Sequence, residues 1–388
     1  MTLPIILLIN RQVRIPIRSR QLLLKPSIPP TVNFFYGTGP AWRAILIVIA
    51  SAFLFNIDHA SADSLTIMAV GDIMMGSDYP DNRLPPNEGQ DLLMGVDFVL
   101  RTADLTLGNL EGPLASGGTC TKTIEKGKCY AFRTPPAYVK NLVDAGFDFL
   151  NCANNHANDF GYAGMTSTHE ILADNGIQYG GPDNSIGDFE INGHKIVVLP
   201  FSVSSGIGSI FEIESAQRLV AEKARDYDIV IVSFHGGGEG VRYLHTVDTF
   251  EYYMGWPRGN VVRFARAVVD SGADLVWGHG PHVPRALEIH NDRLIAYSLG
   301  NFCTWGFNLG DERGYAPILK AVLDSTGAFR HGEIISALQR TCTYPVIDDD
   351  NLAALLMQQL SREDFPETAP DILDDGTIRL KSAPEHYE

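Results

Sequence analysis

Five times along this chain a short apolar run ends in a cluster of polar residues, and that repetition limits the folds open to it. Leu65–Val70 runs into Gly71-Asp72, Ala103–Leu107 into Gly108-Asn109-Leu110-Glu111, and Phe147–Asn151 into Asn154-Asn155-His156. Tyr227–Phe234 leads to His235, and Ala273–Trp277 to Gly278-His279-Gly280-Pro281-His282. Amphipathic stretches of helical period separate the runs, and Gly146, Gly176 and Gly272 stand as helix stops just before the next strand. Strands that are apolar throughout and alternate with helices of about 10–15 residues indicate a largely parallel sheet covered on both faces. Phe189–Leu199 around Asn192-Gly193 and Ala286–Ser298 around Asn291-Asp292 read instead as hairpins. The expectation is an α/β sandwich with mixed sheets.

In open α/β sheets ligands bind beyond the carboxyl ends of the strands. Four of the 11 histidines (His156, His235, His279 and His282) fall just after an expected strand, and Asp72, Glu111 and Asn155 share that rim. Imidazole mixed with carboxylate and amide oxygen suits Mn, Fe or Zn better than Mg or Ca. Two such ions about 3.5–4 Å apart can bind a phosphate, activate a water and stabilise a leaving oxygen. A Gly-Asp after a strand is by itself usually a turn, and Asn154-Asn155 serve equally as turn formers. His279-x-x-His282 in a Gly/Pro-rich loop has little structural purpose, and together with His235 it points to metal. Cys152 reads as a buried structural thiol, since no basic residue neighbours it in sequence. Ser233–Gly240 lacks the Gly-Lys-Ser/Thr of a phosphate loop, and no Gly-x-Ser-x-Gly elbow marks a serine hydrolase.

The formal net charge of −16 argues against a general nucleic-acid binder. No uncharged apolar run reaches the roughly 20 residues of a spanning helix, which excludes a multi-span membrane protein. Residues 44–57 nevertheless form an apolar core after Arg43, followed by the small-residue pattern His59-Ala60-Ser61-Ala62. That is the grammar of a secretory signal cut after Ala62, with a retained anchor as the alternative. Extracytoplasmic location, in the periplasm or at the cell surface, follows as an expectation. The division is then 1–62 as leader, 63–345 as the folded domain and 346–388 as an acidic appendage without chemistry. Loss of the leader removes six cations and one anion and takes the charge from −16 to −21. Export permits disulfides, and of the five cysteines Cys120 and Cys129, flanking a short polar loop, are the expected pair.

The joint set of motifs resembles the bacterial capsule-synthesis proteins of the CapA/PgsA type. It comprises Gly71-Asp72-Ile73-Met74-Met75-Gly76, Asn109-Leu110-Glu111-Gly112-Pro113-Leu114 and Ala153-Asn154-Asn155-His156-Ala157-Asn158-Asp159. His235 with Glu239, Gly278-His279-Gly280-Pro281-His282-Val283 and Tyr297-Ser298-Leu299-Gly300-Asn301-Phe302 complete it over about residues 65–305. Those proteins are associated with poly-γ-glutamate capsule biosynthesis and are similar to the calcineurin-like metallophosphoesterases. The resemblance implies a four-layer α/β/β/α metallophosphoesterase-like sandwich with one or two divalent metal ions at the strand ends. It gives Asp72 to the first metal and Glu111 to the bridging place. Asn155, His235 and His279 go to the second metal, His282 returns to the first, and His156 is the general acid. Asn109, Asn154, Glu239 and Asn301 would support them. Metallophosphoesterases usually carry Asp-x-His at the first strand, where this chain has Met74, and its last motif has an extra residue between the histidines.

Two functions of different class follow. One is an exported metal-dependent hydrolase of a phosphoester or polymer-linked bond; the other is a non-catalytic component that handles, exports or anchors polymer beside a membrane synthase. The expected partners are capsule polymer or its precursor and membrane synthase subunits, with no nucleic acid. A strongly acidic body repels a polyanion, so contact would need the metal centre or a basic strip from Arg242, Arg258, Arg263, Arg266 and Arg285.

Overall fold

The computed structural model describes residues 64–123, 130–204 and 208–381. The leader and Cys129, and with it the expected Cys120–Cys129 pair, lie outside the described residues. No described helix is long and apolar enough to cross a membrane.

Nine strands make the first sheet: β1 (Ser64–Met74), β2 (Leu105–Leu110), β3 (Phe149–Asn151), β4 (Gln178–Gly180), β13 (Asn301–Thr304), β14 (Ile318–Asp324), β15 (Phe329–Ile335), β18 (Asp371–Ile372) and β19 (Thr377–Arg379). Their order is β18-β19-β15-β14-β1-β2-β3-β4, and β13 pairs with the far end of β1. The side from β1 to β4 is parallel, and the side from β14 outward is antiparallel. The second sheet runs β11-β12-β10-β7-β6-β5. Its members are β5 (Gly187–Ile191), β6 (His194–Ser202), β7 (Ile229–His235), β10 (Leu275–His279), β11 (Leu287–His290) and β12 (Arg293–Ala296). Two short ribbons stand apart, β8 (Glu251–Tyr253) with β9 (Trp256–Gly259) and β16 (Ala337–Leu338) with β17 (Val346–Ile347).

Alternation within the strands builds the layers. Along β1, Leu65, Ile67 and Ala69 face one core, and Met68 and Val70 face another. The first core lies between the sheets, where Ile67, Leu107 and Phe149 meet Val198, Ile231, Leu275 and Trp277. Trp277 also donates its indole N–H to the Val70 carbonyl at 3.1 Å, tying β10 to β1. The outer face of the first sheet packs on the helices Val139–Ala145 and Gly161–Asp174 through Leu142, Ala145 and Leu172. That of the second packs on Ile213–Lys223 and Val261–Val269 through Ala216, Val220, Val262 and Phe264. The four layers are α/β/β/α.

Both expected hairpins form. Asn192 and Gly193 (φ 53° and 83°) turn β5 into β6, and Asn291 and Asp292 (φ 49° and 62°) turn β11 into β12. The glycine stops at 146, 176 and 272 all take positive φ. The described part of the tail, 346–381, packs on the domain. Its helix Leu352–Asp364 puts Ala354 and Met357 into the inter-sheet core, and β19 pairs with β15 to extend the first sheet.

Candidate metal centre

The register of β1 changes where the site begins. Its N-terminal part, Ser64–Ala69, pairs with β14, and Asp72–Met74 pair with β13 instead. The pairing with β2 also shifts between Ala69 and Asp72. Such an irregularity re-aims one side chain out of the pleat, and here it delivers Asp72. The switch needs Gly71, because a Cβ there would lie 2.0 Å from the Gly300 carbonyl oxygen that accepts the Asp72 N–H at 2.9 Å. Gly71→Ala is therefore expected to push β13 away from β1, lowering stability by about 1–3 kcal/mol as overpacking does and displacing Asp72. A denaturant melt and a metal titration of the variant check both effects.

The structure brings the expected site residues other than Asn155 to one place, and Asn155 follows Asn154 in the loop after β3. Asp72 is fully buried; Asn109 Nδ2 donates to its Oδ1 at 2.8 Å, and His282 Nδ1 lies 2.9 Å from its Oδ2. Asn109 is held in turn by Asn154, whose amide donates to Asn109 Oδ1 and the Leu110 carbonyl. Glu111 follows β2 directly, with Oε1 3.8 Å from His156 Nε2 and 3.6 Å from His282 Nε2. His235 ends β7 and His279 ends β10, their Nδ1 atoms 3.1 Å apart, and His279 Nδ1 is 3.8 Å from Asp72. His282 sits in the loop beyond, with φ 59°, a strained value for a residue with a Cβ. Asn301 fixes that loop: its Nδ2 donates to the His282 carbonyl, and its Oδ1 lies 3.1 Å from the ring. Glu239 Oε2 stands 4.0 Å from His282 Nε2, and Arg258 holds the other oxygen at 3.0 Å.

Two groups of three can each gather around an ion: Asp72, His235 and His279, and Asp72, Glu111 and His282. Asp72 belongs to both, the shared place that the family resemblance gives to Glu111. Several atoms around these groups have nothing to bind. Both Glu111 carboxylate oxygens, Asn155 Oδ1 and His235 Nε2 are buried without a hydrogen-bond partner. Buried polar atoms in native proteins are almost always satisfied, so four unsatisfied donor atoms on metal-ligating residue types fit a cation.

The electrostatics follow from burial. Desolvation lowers His235 well below its ordinary range, aided by His279, and takes His279 down to about 4 against the pull of Asp72. Both rings are neutral at pH 7 and present lone pairs. His279 Nε2 lies 2.9 Å from Ser233 Oγ and from Asn151 Nδ2, contacts that anchor the ring with Nδ1 facing His235 and Asp72. Desolvation raises Glu111 to about 8, with Asp72 and Glu239 adding to it over the opposing pull of His282. Burial alone would lower His282, but Glu111 and Asp72 outweigh it and hold it near 10. His156 is lowered by burial, in spite of Asp159.

Some residues are not where the sequence reading put them. Arg285 is fully buried, bound to Glu251 and the Gly238 carbonyl; Arg258 is buried on Gly237 and Glu239, and Arg266 is tied to Glu288. No exposed basic strip can be built from these three. Cys152 is buried and its thiol pushed far up by desolvation, as befits an inert structural residue.

Comparison with known proteins decides the family. The model of the bacterial capsule synthesis protein PGA_cap matches residues 66–304. This chain belongs to that family. Among its relatives are the PGA biosynthesis protein CapA of Bacillus subtilis (31% identical over 283 residues, 66% of this chain and 70% of the relative) and the capsule biosynthesis protein CapA of Bacillus anthracis (29% over 268 residues, 63% and 61%). The chain thus spans about two thirds of these relatives' length. A solved 5'-nucleotidase precursor from Thermus thermophilus aligns over 77% of this chain and 59% of its own, at 12% identity and a TM-score of 0.40.

Proposed function

We propose that this chain is an exported, metal-dependent hydrolase that cuts a phosphoester or polymer-linked bond while an anionic capsule polymer is built or processed. The observation that carries the reading is the convergence of buried, unsatisfied ligand atoms on Glu111 and His235 beside Asp72. Asp72, Glu111, Asn155, His235, His279 and His282 would hold one or two ions of Mn, Fe or Zn. Bound there, the ions supply Lewis acidity and a nucleophile at neutral pH. Asp72 and Glu111 offset the positive charge, Asn109 and Asn154 orient Asp72, and Glu239 draws Arg258 to the rim. His156 turns Nε2 toward Glu111 and is the group able to move a proton to a leaving oxygen or nitrogen. Capsule polymer or its precursor is the proposed partner, beside membrane synthase subunits.

A second reading, polymer handling without cleavage, is favoured by Met74, which is buried and offers no hard ligand where metallophosphoesterases usually place a histidine. Turnover separates the two. The full chain supplied with Mn, Fe or Zn is expected to hydrolyse bis(p-nitrophenyl) phosphate or oligo-γ-glutamate. His156→Ala should reduce the rate on oligo-γ-glutamate, whose leaving nitrogen needs a proton, by roughly 10²–10⁴-fold, the usual contribution of a positioned acid or base, and much less on the p-nitrophenyl ester, whose leaving oxygen needs none. Binding of the polymer with no turnover under any of these ions would leave the second reading.

Metal uptake should also depend on pH in a definite direction. Glu111 and His282 hold protons in the metal-free chain up to about 8 and about 10 respectively. Ligation displaces those protons, so affinity rises as pH rises. Isothermal titration from pH 6 to 8.5 is expected to show tighter binding and proton release on loading. Affinity that is flat or weaker with rising pH would contradict the assignment.

A further inference from the structure

One small cavity is lined by none of the residues assigned to the strand-end centre. It measures about 10 Å³, the space of a single water-sized sphere, and its walls include Cys152, Met165 and His169. Cys152 comes directly after β3 and is a buried, free thiol. Met165 and His169 stand four residues apart on the helix Gly161–Asp174, a spacing that puts both on one face. His169 is only 7% exposed. Its ring stacks on Tyr179 with centroids 4.1 Å apart, and its Nδ1 lies 3.2 Å from Asp183 Oδ2. A carboxylate can only accept, so Nδ1 carries the hydrogen and Nε2 of the neutral ring keeps its lone pair. That Nε2 is buried with no hydrogen-bond partner. Gly181 keeps the space beside it open, since a Cβ there would stand 3.0 Å from Nε2.

We propose that Cys152, Met165 and His169 form a separate metal site, one that takes a single soft monovalent cation, Cu(I). The donors select the ion. Thiolate and thioether sulfur prefer soft ions, and imidazole suits copper as well. Zinc in a closed site wants four ligands, and no fourth is at hand. The other walls include Leu110, Pro113 and Ala157. The Thr168 hydroxyl is already engaged, donating to the Gly164 carbonyl and accepting the Leu114 N–H. Charge points the same way. Cu(I) on one thiolate is neutral, whereas a divalent ion would leave net charge in a buried, mostly apolar place. Loading exchanges the thiol proton for the cation: the S–H bond breaks, the proton leaves to water and no electron is transferred. Burial makes Cys152 a poor nucleophile but does not bar that exchange. Met165, the one half-buried residue of the wall, gives the ion a way in.

The test is an anaerobic titration of the full chain with Cu(I) against bicinchoninate, a chelator whose Cu(I) complex is coloured. Cys152→Ser, Met165→Leu and His169→Gln are titrated beside it. The other cysteines and the strand-end histidines are common to all four chains, so differences between chains report this cavity alone. The unaltered chain is expected to take up one equivalent of Cu(I) more than Cys152→Ser does. Met165→Leu and His169→Gln, nearly the same in size, should each weaken that equivalent by about 10-fold or more, as loss of even an outer-shell partner does at other metal sites. Zn in place of Cu(I) should show no difference among the chains. Equal Cu(I) uptake by the unaltered chain and Cys152→Ser, at unchanged circular dichroism, would overturn the proposal and leave the cavity to a water on His169. Uptake that needs Cys152 but is untouched by Met165→Leu and His169→Gln would overturn it too, as binding to a bare thiol. Where Cys152→Ser fails to fold, the other two variants decide alone. None of these results depends on turnover at the strand-end centre.

Discussion

Replacing Asp72 with Ala is expected to abolish metal uptake at every site, whereas His235→Ala or Glu111→Gln removes it at one. The asymmetry follows from Asp72 belonging to both three-residue groups, with His235 in one and Glu111 in the other. Loss of even an outer-shell partner typically lowers metal affinity about 10–100-fold, so loss of a shared, fully buried carboxylate should exceed 100-fold. Competition titration against a chromophoric chelator measures this in all three variants. If Asp72→Ala merely halves the binding and Glu111→Gln abolishes it, the shared ligand is Glu111, as the family resemblance implied.

The largest effect on stability is expected away from the candidate metal centre. Arg285 has no exposed side-chain surface, and its guanidinium grips both Glu251 oxygens at 2.9 Å and the Gly238 carbonyl at 3.0 Å. Glu251 in turn accepts the Gly238 N–H at 2.7 Å. The pair therefore pins the loop after β7 that carries Glu239 to the β8–β9 ribbon that carries Arg258. Arg285→Met leaves a buried carboxylate unpaired and should destabilise the fold by about 3–5 kcal/mol. The double variant Arg285→Met, Glu251→Gln should recover part of that loss. Chemical denaturation of the three chains checks it, and a loss below 1 kcal/mol would mean that water reaches Glu251.

Much of the candidate centre was legible because its expected ligands follow apolar runs. Asp72, Glu111, His156, His235 and His279 each stand at a strand's carboxyl end, where parallel topology gathers side chains far apart in sequence. The hairpins were legible from Asn-Gly and Asn-Asp between alternating segments. What could not be read is what depends on pairings between distant segments. Ser233 and Asn151 orient His279 from 46 and 128 residues away, and nothing in their local sequence marks them. Arg285 was misread for the opposite reason: arginine is usually exposed, and its buried partner Glu251 is 34 residues upstream. The edge strands β18 and β19 are only two and three residues long, too short for any period to show, and they exist because β15 offers an open edge.

The account's central claim is a metal centre at the strand ends, and elemental analysis of the purified full chain tests it most directly. One or two equivalents of Mn, Fe or Zn per chain are expected, removed by chelator, restored by adding back the ion, and absent from Asp72→Ala. A chain that carries no such metal as purified, and takes up none when Mn, Fe or Zn is supplied at pH 8, would contradict it.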